Sequence, residues 1–592
     1  MTYEQIAALV ILGVTLVMFI WGRWRYDLVA FCALIVAVLA GVVEPKAAFQ
    51  GFGHAAVITV AAVLIITKAL AESGAIDILT KYILPSSKNP TLQILYLGGA
   101  AAVLSAFMNN IGALALLMPV AIQAAVREGQ SPATLLMPLS FASILGGLAT
   151  QIGTPPNIII AAYRAEALGK PYTMFDFAPV GALTALVGVV FVVLVGWRLI
   201  PRERRESKPR EELFDIEDYV AEARVPKKAK AIGMSVAEID QLASNDGADI
   251  VGLIRKGERI TLNRRRKIEA GDILIFESAP EHIASAVKAA GLELIAGGKP
   301  VADDLQSDDV EMIEAIVGPT SILDGRTPGG FRLRQRYRVS LLAATRRGKS
   351  HKGRLKDFQF RAGDVLLLLG DKDRLPTLLS TLGLLPLAER KIDWSKGSKA
   401  GMTAGVFALA IIATALGLAT PPVALGAAVA VMILLKIISL SDAYGSIDWS
   451  VIVLLGALIP VGGALETTGA TKVFAQGIVD WTTGMPAWTI LAIVLVVTMT
   501  VSDVLNNVAT TLLMAPVAVG IATTLQVNPD AFLMAVAVGA SCAFLTPIGH
   551  KNNVLVMGPG GYQFGDYWRM GLPLEIIIAV VAVPLILIVW PL

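Results

Sequence analysis

The sequence predicts an α-helical polytopic membrane protein: an inverted repeat, each unit made of five crossings plus one re-entrant hairpin, with inserted α+β cytoplasmic domains. Three observations carry this expectation. Of 592 residues, 55% are hydrophobic and only 16% charged, far more apolar surface than a soluble core requires. The apolar stretches fill residues 4–200 and 400–592, while Arg, Lys, Asp and Glu crowd the interval between them. The two apolar blocks also repeat one another, in the order of their segments and in short motifs that align letter by letter.

A helical span takes about 20 apolar residues. In the first block such spans fit residues 4–22, 27–43, 54–72 and 178–200. Two regions do not fit simply: residues 92–126 form two apolar arms interrupted by Asn109 and Asn110, and 133–165 is a long run broken by Gly153, Thr154, Pro155, Pro156 and Asn157. The second block keeps the same order, with spans at 401–419, 421–440, 449–468 and 572–591. Its arms, 486–525, are interrupted by Asn506 and Asn507, and its run at 530–557 is broken at PIGHKNN. Ser105 to Pro119 aligns without a gap on Ser502 to Pro516, sharing Ser-x-x-x-Asn-Asn, and Thr150 to Asn157 (TQIGTPPN) mirrors Thr546 to Asn553 (TPIGHKNN). The domain boundaries follow: a membrane repeat at 1–205, two inserted domains at 206–300 and 301–392, and a second membrane repeat at 393–592.

If the paired arms enter and leave by one side, each half makes five crossings, and an odd number turns the second half over. Arg23, Arg25, Lys81, Lys88, Arg127, Lys436 and Arg569 then share a side with the charged block, while Lys46, Arg164, Lys170 and Lys472 lie opposite. The positive-inside rule makes the first side cytoplasmic, with both termini periplasmic in a bacterial inner membrane. The N-terminal apolar run lacks a basic n-region and a cleavage site, so it reads as a retained span. The net charge of +3 and the mixing of bases with acids argue against nucleic acid as a partner. Cys32 and Cys542 fall inside apolar segments and read as small packing residues, with no disulfide framework or cysteine metal site.

Backbone that leaves helical geometry inside a bilayer must find partners in protein, water or ions, so the breaks mark cavities. A hairpin tip offers the N-terminus of its second arm to an anion, and its carbonyls and Asn side chains to a small cation. Taken singly, Asn-Asn and Gly-Thr-Pro-Pro-Asn could open ordinary tight loops. Recurrence at matched spacing favours the binding reading. Asp503, His550 and Lys551 are ionisable near the expected midplane, where each charge costs roughly 2.5–3.5 kcal/mol on insertion scales. Lys551 is the candidate to offset anion charge and Asp503 to favour a cation, against the alternatives of a mutual ion pair or exposure to the cytoplasmic vestibule.

The NNIGALALLMP and NNVATTLLMAP tips, GGLATQIGTPPNIII, and the tail GHKNNVLVMGPGGYQFGDYWRMGLPL resemble the divalent anion/sodium symporter family of the ion transporter superfamily, over roughly two-thirds of the chain. The resemblance implies an elevator-type carrier, usually a homodimer, that moves sulfate or di- and tricarboxylates with Na+. Carried onto this sequence, it puts Asn109-Asn110-Ile111 and Asn506-Asn507-Val508 at the substrate and sodium sites. Family tips commonly read Ser-Asn-Thr, and the departures here remove hydroxyl donors for a carboxylate. With the GHKNN tail and the inserts, which look like the sulfate-type bacterial branch, this leans toward a tetrahedral oxyanion. Ser105 and Ser502, the backbone at Gly153 and Gly549, and the side chains of Asn110, Asn157, Asn507 and Asn553 are the candidate sodium ligands, since hard oxygen donors suit Na+. For the serines the alternative is helix packing by a small residue. A dianion entering against about 100 mV, inside negative, costs roughly 4.6 kcal/mol, which two sodium ions cancel. Protons could replace sodium.

The charged block holds a second repeat. Short alternating strands, an Ala-Gly-Asp turn, a strand and a helix recur with a period of 92 residues, from Ala270 to Ala362. The segment resembles the TrkA C-terminal (RCK-C) domain, which implies dimerisation and a small regulator such as a cyclic dinucleotide. No G-x-G-x-x-G occurs, so nucleotide binding by a Rossmann partner is unsupported. The basic run Arg264 to Lys267 reads as a solvated or lipid-facing turn ahead of a phosphate contact. A ligand-gated channel would need a filter such as T-V-G-Y-G, absent here, and a transport-like sensor would bind without turnover. An enzyme is disfavoured, because no nucleophile-base pair or phosphate loop stands out.

Overall fold

The computed structural model describes the membrane blocks over residues 1–21, 23–73, 89–206, 397–471, 476 and 484–592. In the charged block it describes 220–227, 229–245, 249–255, 258–259, 265–277, 291–294, 310–318, 321–331, 333–337, 339–346, 349–351, 355–371 and 374–387. Lys81, Lys88, Arg264 and Lys472 lie outside the described residues, as do the expected boundaries at 300 and 392.

The first block forms α1 (Tyr3–Trp21), α2 (Tyr26–Leu39), α3 (Ala55–Glu72), the arms α4 (Pro90–Phe107) and α5 (Asn110–Arg127), the broken pair α6 (Ala133–Gly146) and α7 (Pro155–Leu168), and α8 (Ala178–Leu194). The charged block contributes α9 (Val236–Asn245) and α10 (Leu375–Leu382) with ten strands. The second block forms α11 (Gly397–Ala415), α12 (Pro421–Leu434), α13 (Trp449–Thr467), the arms α14 (Ala487–Val504) and α15 (Asn507–Leu525), the broken pair α16 (Pro529–Ser541) and α17 (Lys551–Met557), and α18 (Tyr567–Val589). Among the described residues, seven helices are long and apolar enough to cross a membrane. Pro90, Pro155, Pro421 and Pro529 each open a helix, where the missing N–H is no loss.

Several bounds differ from expectation. α2 ends at Leu39 because Gly41, at φ +73°, turns the chain out of the helix. α12 ends at Leu434, ahead of a left-handed Lys436. The first break lies earlier than expected: α6 gives way to a 3-10 turn at Gly147–Ala149, and Pro155, Pro156 and Asn157 already belong to the first turn of α7. Likewise Lys551, Asn552 and Asn553 begin α17. Cys542 is buried, whereas Cys32 is exposed on α2, so its expected packing role is corrected.

The sixteen helices named in the two membrane blocks sort into two bodies. α2 packs on α13 and, reciprocally, α12 on α3, with apolar contacts joining α1–α3 to α11–α13. The arms, broken helices and last helices of both blocks share another core. There α4 packs on α6 and α14 on α16, while α8 and α18 lie side by side. Glycine permits the tightest of these approaches. A Cβ on Gly181 would stand 2.0 Å from the Leu148 carbonyl oxygen, and one on Gly571 2.3 Å from that of Phe544, the matching positions of the two halves.

The insert holds two five-stranded sheets built alike. The first comprises β1 (Val220–Arg224), β2 (Asp249–Arg255), β3 (Glu258–Arg259), β4 (Ile273–Glu277) and β5 (Glu293–Leu294), in the order β3-β2-β4-β1-β5. The second comprises β6 (Val310–Val317), β7 (Ser340–Arg346), β8 (Lys349–Ser350), β9 (Val365–Asp371) and β10 (Leu384–Pro386), in the order β10-β6-β9-β7-β8. Read from the other edge, the second order repeats the first, and both sheets carry a bulge in the same strand, at Ile250/Gly252 and Leu341/Ala343. The Ala-Gly-Asp turns place Gly271 at φ +90° and Gly363 at φ +87°, a region glycine enters without steric penalty. Their aspartates take a bidentate arginine from the neighbouring strand: Arg255 on Asp272 at 2.8 Å, and Arg346 on Asp364 at 2.7 and 2.8 Å. Burial still pushes the Asp364 carboxyl above its ordinary range, against the pull of Arg346.

Candidate anion and cation site

Each hairpin turns through an asparagine that caps the second arm. Asn109 (φ −57°, ψ 137°) accepts the Ile111 N–H at 3.2 Å, and Asn506 (φ −68°, ψ 138°) accepts the Val508 N–H at 2.8 Å. Asn507 Oδ1 also accepts from Val508 N–H, at 2.9 Å. These caps use the amide oxygens. The amide nitrogens of Asn109, Asn506 and Asn507, all half-buried, donate to no protein acceptor among the described residues. Ile111 is half-buried and Val508 buried, and each supplies the N–H that its cap accepts.

The breaks run beside the tips, with matched bonds. The Thr150 hydroxyl donates to the Ala106 carbonyl, and the Thr546 hydroxyl to that of Asp503 at 2.5 Å. Asn157 Nδ2 donates to the carbonyls of Thr150 (2.8 Å), Gly147 and Leu148 (both 3.4 Å), and Asn553 Nδ2 to those of Thr546 and Ala543 (both 3.3 Å). Gly153 and Gly549 let the break approach the first arms: a Cβ there would stand 2.9 Å from the Ser105 carbonyl oxygen and 2.5 Å from that of Ser502. Both asparagines thus lace the irregular backbone that lipid cannot satisfy.

The halves differ in what crosses between them. The Ser105 hydroxyl sits 2.6 Å from one end of the Asn110 amide, and His550 Nε2 lies 3.1 Å from the other. His550 Nδ1 accepts the Asn552 N–H at 3.2 Å, so the ring hydrogen lies on Nε2 and the Asn110 amide turns its oxygen there, its two ends exchanging by a half-turn. Asn552 Nδ2 donates to the Asn110 carbonyl (3.1 Å) and to Ser143 Oγ (2.6 Å), and Ser140 Oγ donates to Asn553 Oδ1 at 2.8 Å. The first tip is therefore stitched into the second break, and Asn110 is 1% exposed. Ser502 instead bonds the Ala540 carbonyl at 2.7 Å. Several buried oxygens have no donor among the described residues: Thr154 Oγ1, Asn157 Oδ1 and Asn552 Oδ1. Oxygens without hydrogen-bond partners are the donor set a hard cation takes.

Of the ionisable candidates, Lys551 is paired, with Asp448 at the start of α13 at 2.7 Å and not with Asp503. Its charge is balanced across the two bodies. Asp503 accepts the Leu545 N–H at 2.9 Å and touches the carboxyl of Glu575. Glu575, which accepts the Phe544 N–H at 3.0 Å, escaped the sequence reading although it is a lone acid within an apolar span, a visible sign of function. Asp448, Asn552, Ser140 and Ser143 carried no comparable signal, since only the fold brings them to the break. The insert also reaches this region. The Gly363 turn packs on α17, where a Cβ on Gly363 would stand 2.7 Å from the Val554 carbonyl oxygen.

Twin capped tips thus stand against twin laced breaks inside an apolar helical body. Residues 16–539 match the family described as citrate transporter. The chain belongs to the citrate transporter family. This family member is thus a multi-pass membrane transporter. It is 30% identical over 597 residues to an uncharacterized transporter of Synechocystis sp., covering 99% of this chain and 97% of that one. It is 29% identical over 616 residues to the uncharacterized transporter YfbS of Escherichia coli, covering all of both chains. A sodium/sulfate cotransporter of Chlamydomonas reinhardtii is 27% identical over 359 residues, 57% of this chain and 40% of that one. The kinship read from the tips is thereby shown at the level of transporters. The crystal structure of the GsuK RCK domain overlays 28% of this chain and 64% of that chain at 11% identity and a TM-score of 0.14, too loosely to argue from.

Proposed function

We propose that this transporter is a sodium-coupled symporter of a divalent oxyanion, with sulfate as the leading cargo. The carrying observation is the pairing of free amide donors at the tips (Asn109, Asn506, Asn507) with undonated buried oxygens at the adjoining breaks (Thr154, Asn157, Asn552). The amides and the N-terminal turns of α5 and α15 bind the anion, which favours hydrogen-bond donors and the positive helix end. The oxygens, with Ser105, Ser502 and Asn507 nearby, ligate Na+. The likeness to a sodium/sulfate cotransporter supports this cargo. A di- or tricarboxylate is the second reading, favoured by the family description.

The division into two bodies supports an elevator: α1–α3 with α11–α13 as the fixed frame, and α4–α8 with α14–α18 as the moving core. The repeated geometry, with tips buried against breaks where an ordinary loop would reach water, supports two re-entrant, inverted halves. In this reading the protein is a homodimer of the bacterial inner membrane, the insert is cytoplasmic and the termini periplasmic. The contact of the Gly363 turn with α17 supports a regulatory role for the insert, with a small ligand such as a cyclic dinucleotide as effector. Uptake of radiolabelled sulfate, citrate and succinate into proteoliposomes, with and without an inward sodium gradient, tests the proposal. Sodium-dependent, saturable sulfate uptake is expected. Citrate or succinate uptake with no sulfate uptake would replace it by the second reading, and ion current without uptake would overturn it.

A further inference from the structure

The chain that leaves α8 comes to lie against the start of α18. A Cβ on Gly188 would stand 3.4 Å from Leu574 Cδ1, and one on Gly196, in the 3-10 turn Gly196–Leu199, 3.1 Å from Met570 Sδ. The two helices therefore run antiparallel, and the end of one is level with the beginning of the other. Trp197 and Arg198 lie at this level, as do the exposed Trp568 and Arg569.

Two arginines converge there on one indole. The guanidinium carbon of Arg198 lies 4.6 Å from the centre of the Trp197 ring and that of Arg205 5.7 Å. The turn that carries Arg205 is anchored by its neighbour, since Arg204 pairs with Asp566 at 3.0 Å and its carbonyl accepts the Ser131 hydroxyl at 2.7 Å. Like charges gathered on one ring repel. Among the described residues neither Arg198 nor Arg205 is paired with an acid: Asp566 is taken by Arg204, and Glu203 and Glu206 are exposed. Arg198 donates to the Leu194 carbonyl and Arg205 to that of Ile200, both backbone groups without net charge. Trp197 adds a further donor, a buried indole N–H with no acceptor among the described residues, where a buried indole ordinarily finds one.

Two apolar stripes run from this cluster along the membrane helices. Leu183, Leu186, Val190 and Leu194 are exposed on α8, and Leu572, Ile576 and Val580, four residues apart, on α18. In a multi-pass membrane protein such stripes face acyl chains. One reading ends there, with Trp and Arg as interfacial anchors for any headgroup. That reading leaves the indole N–H without an acceptor and the two gathered charges without a counter-charge. A phosphate diester supplies both, because its oxygens accept from guanidinium and indole together. Two guanidinium groups also exceed the single charge of one phosphate, so a headgroup that carries no cation of its own is favoured.

We infer that Trp197, Arg198 and Arg205 form a binding site for the phosphate of an anionic phospholipid whose chains lie along α8 and α18. The inference rests on the chain being a membrane transporter and is independent of the cargo and the coupling ion.

Native mass spectrometry of the full chain in detergent, titrated with phosphatidylglycerol or phosphatidylcholine, tests this without cargo. Phosphatidylglycerol is expected to stay bound where phosphatidylcholine is lost. Arg198→Gln/Arg205→Gln should weaken it on the order of thirtyfold, at about fivefold per basic residue. Trp197→Phe, which keeps the ring and removes the hydrogen, should weaken it about tenfold. Arg23→Gln is the comparison: Arg23 lies 5.7 Å from the Trp21 ring, with no second guanidinium over that ring among the described residues, and its loss should leave binding unchanged. Equal retention of phosphatidylcholine, unchanged binding in both site variants, or an equal loss in Arg23→Gln would overturn the site and leave these residues as unselective anchors. Displacement of the lipid by millimolar inorganic phosphate would overturn the lipid assignment.

Discussion

At the residue scale, the tips separate binding from folding. Asn506 and Asn507 spend their oxygens on Val508 and keep their nitrogens free, while Asn110 is bonded at both ends of its amide. Asn507→Ala should weaken anion binding by about 1.5–3 kcal/mol, the range for a hydrogen bond to a charged group, with little change in melting temperature. Asn110→Ala should instead lower thermal stability by about 1–3 kcal/mol, because the His550 ring N–H loses its buried partner. Isothermal titration with sulfate and thermal unfolding in detergent distinguish the two. Lys551 invites a similar separation. Lys551→Ala strands Asp448 and should destabilise by about 2 kcal/mol, less than the ~3–5 kcal/mol of a fully buried pair because both groups keep some solvent. The double variant Lys551→Met/Asp448→Leu should recover most of that loss. If anion affinity also recovers, Lys551 serves the helix, and if it does not, the lysine serves the cargo.

At the element scale, the breaks depend on glycines that admit a neighbouring carbonyl. Gly181→Val and Gly571→Val would drive a side chain into Leu148 and Phe544 respectively, displacing α8 or α18 from its break. Each should lower stability by about 1–3 kcal/mol, as overpacking does, and reduce uptake out of proportion to the protein inserted, which quantitative blots beside transport rates would reveal. Gly363→Val meets both a left-handed backbone, worth about 1–2 kcal/mol, and the Val554 carbonyl. It should free α17 from the insert and change the transport rate while leaving the membrane core folded, a result that limited proteolysis and uptake together would report. The same elements show what was legible beforehand. The tips, breaks and inserted repeat could be read because each occurs twice, and a recurrence at fixed spacing outweighs the weak preference of any single Asn or Pro. The first break lies earlier than its Gly-Thr-Pro-Pro-Asn motif because Pro155 reads as a breaker although it suits a first helical turn. Glu575 and Asp448 escaped because their partners, at Asp503 and Lys551, are remote in sequence and meet only through packing.

At the scale of the whole molecule, reciprocal packing of α2 on α13 and α12 on α3 leaves a second body that contains every candidate site residue. The seam between the bodies includes a shallow open pocket bordered by His54, Tyr163, Glu166, Leu458, Gly462 and Pro516, with no tip residue among its lining. A moving core would slide along that seam and carry the tips with it. In the proposed carrier, two tips entering from opposite faces meet a hydrophilic cargo midway through the bilayer. Single cysteines at Asn109 and Asn506, in a background of Cys32→Ser and Cys542→Ala, can be challenged in oriented vesicles with a membrane-impermeant thiol reagent applied from either side. Both positions should react from water, and sodium sulfate should protect both. Labelling of either position only by a lipid-phase reagent, with no reaction from either aqueous side, would contradict it.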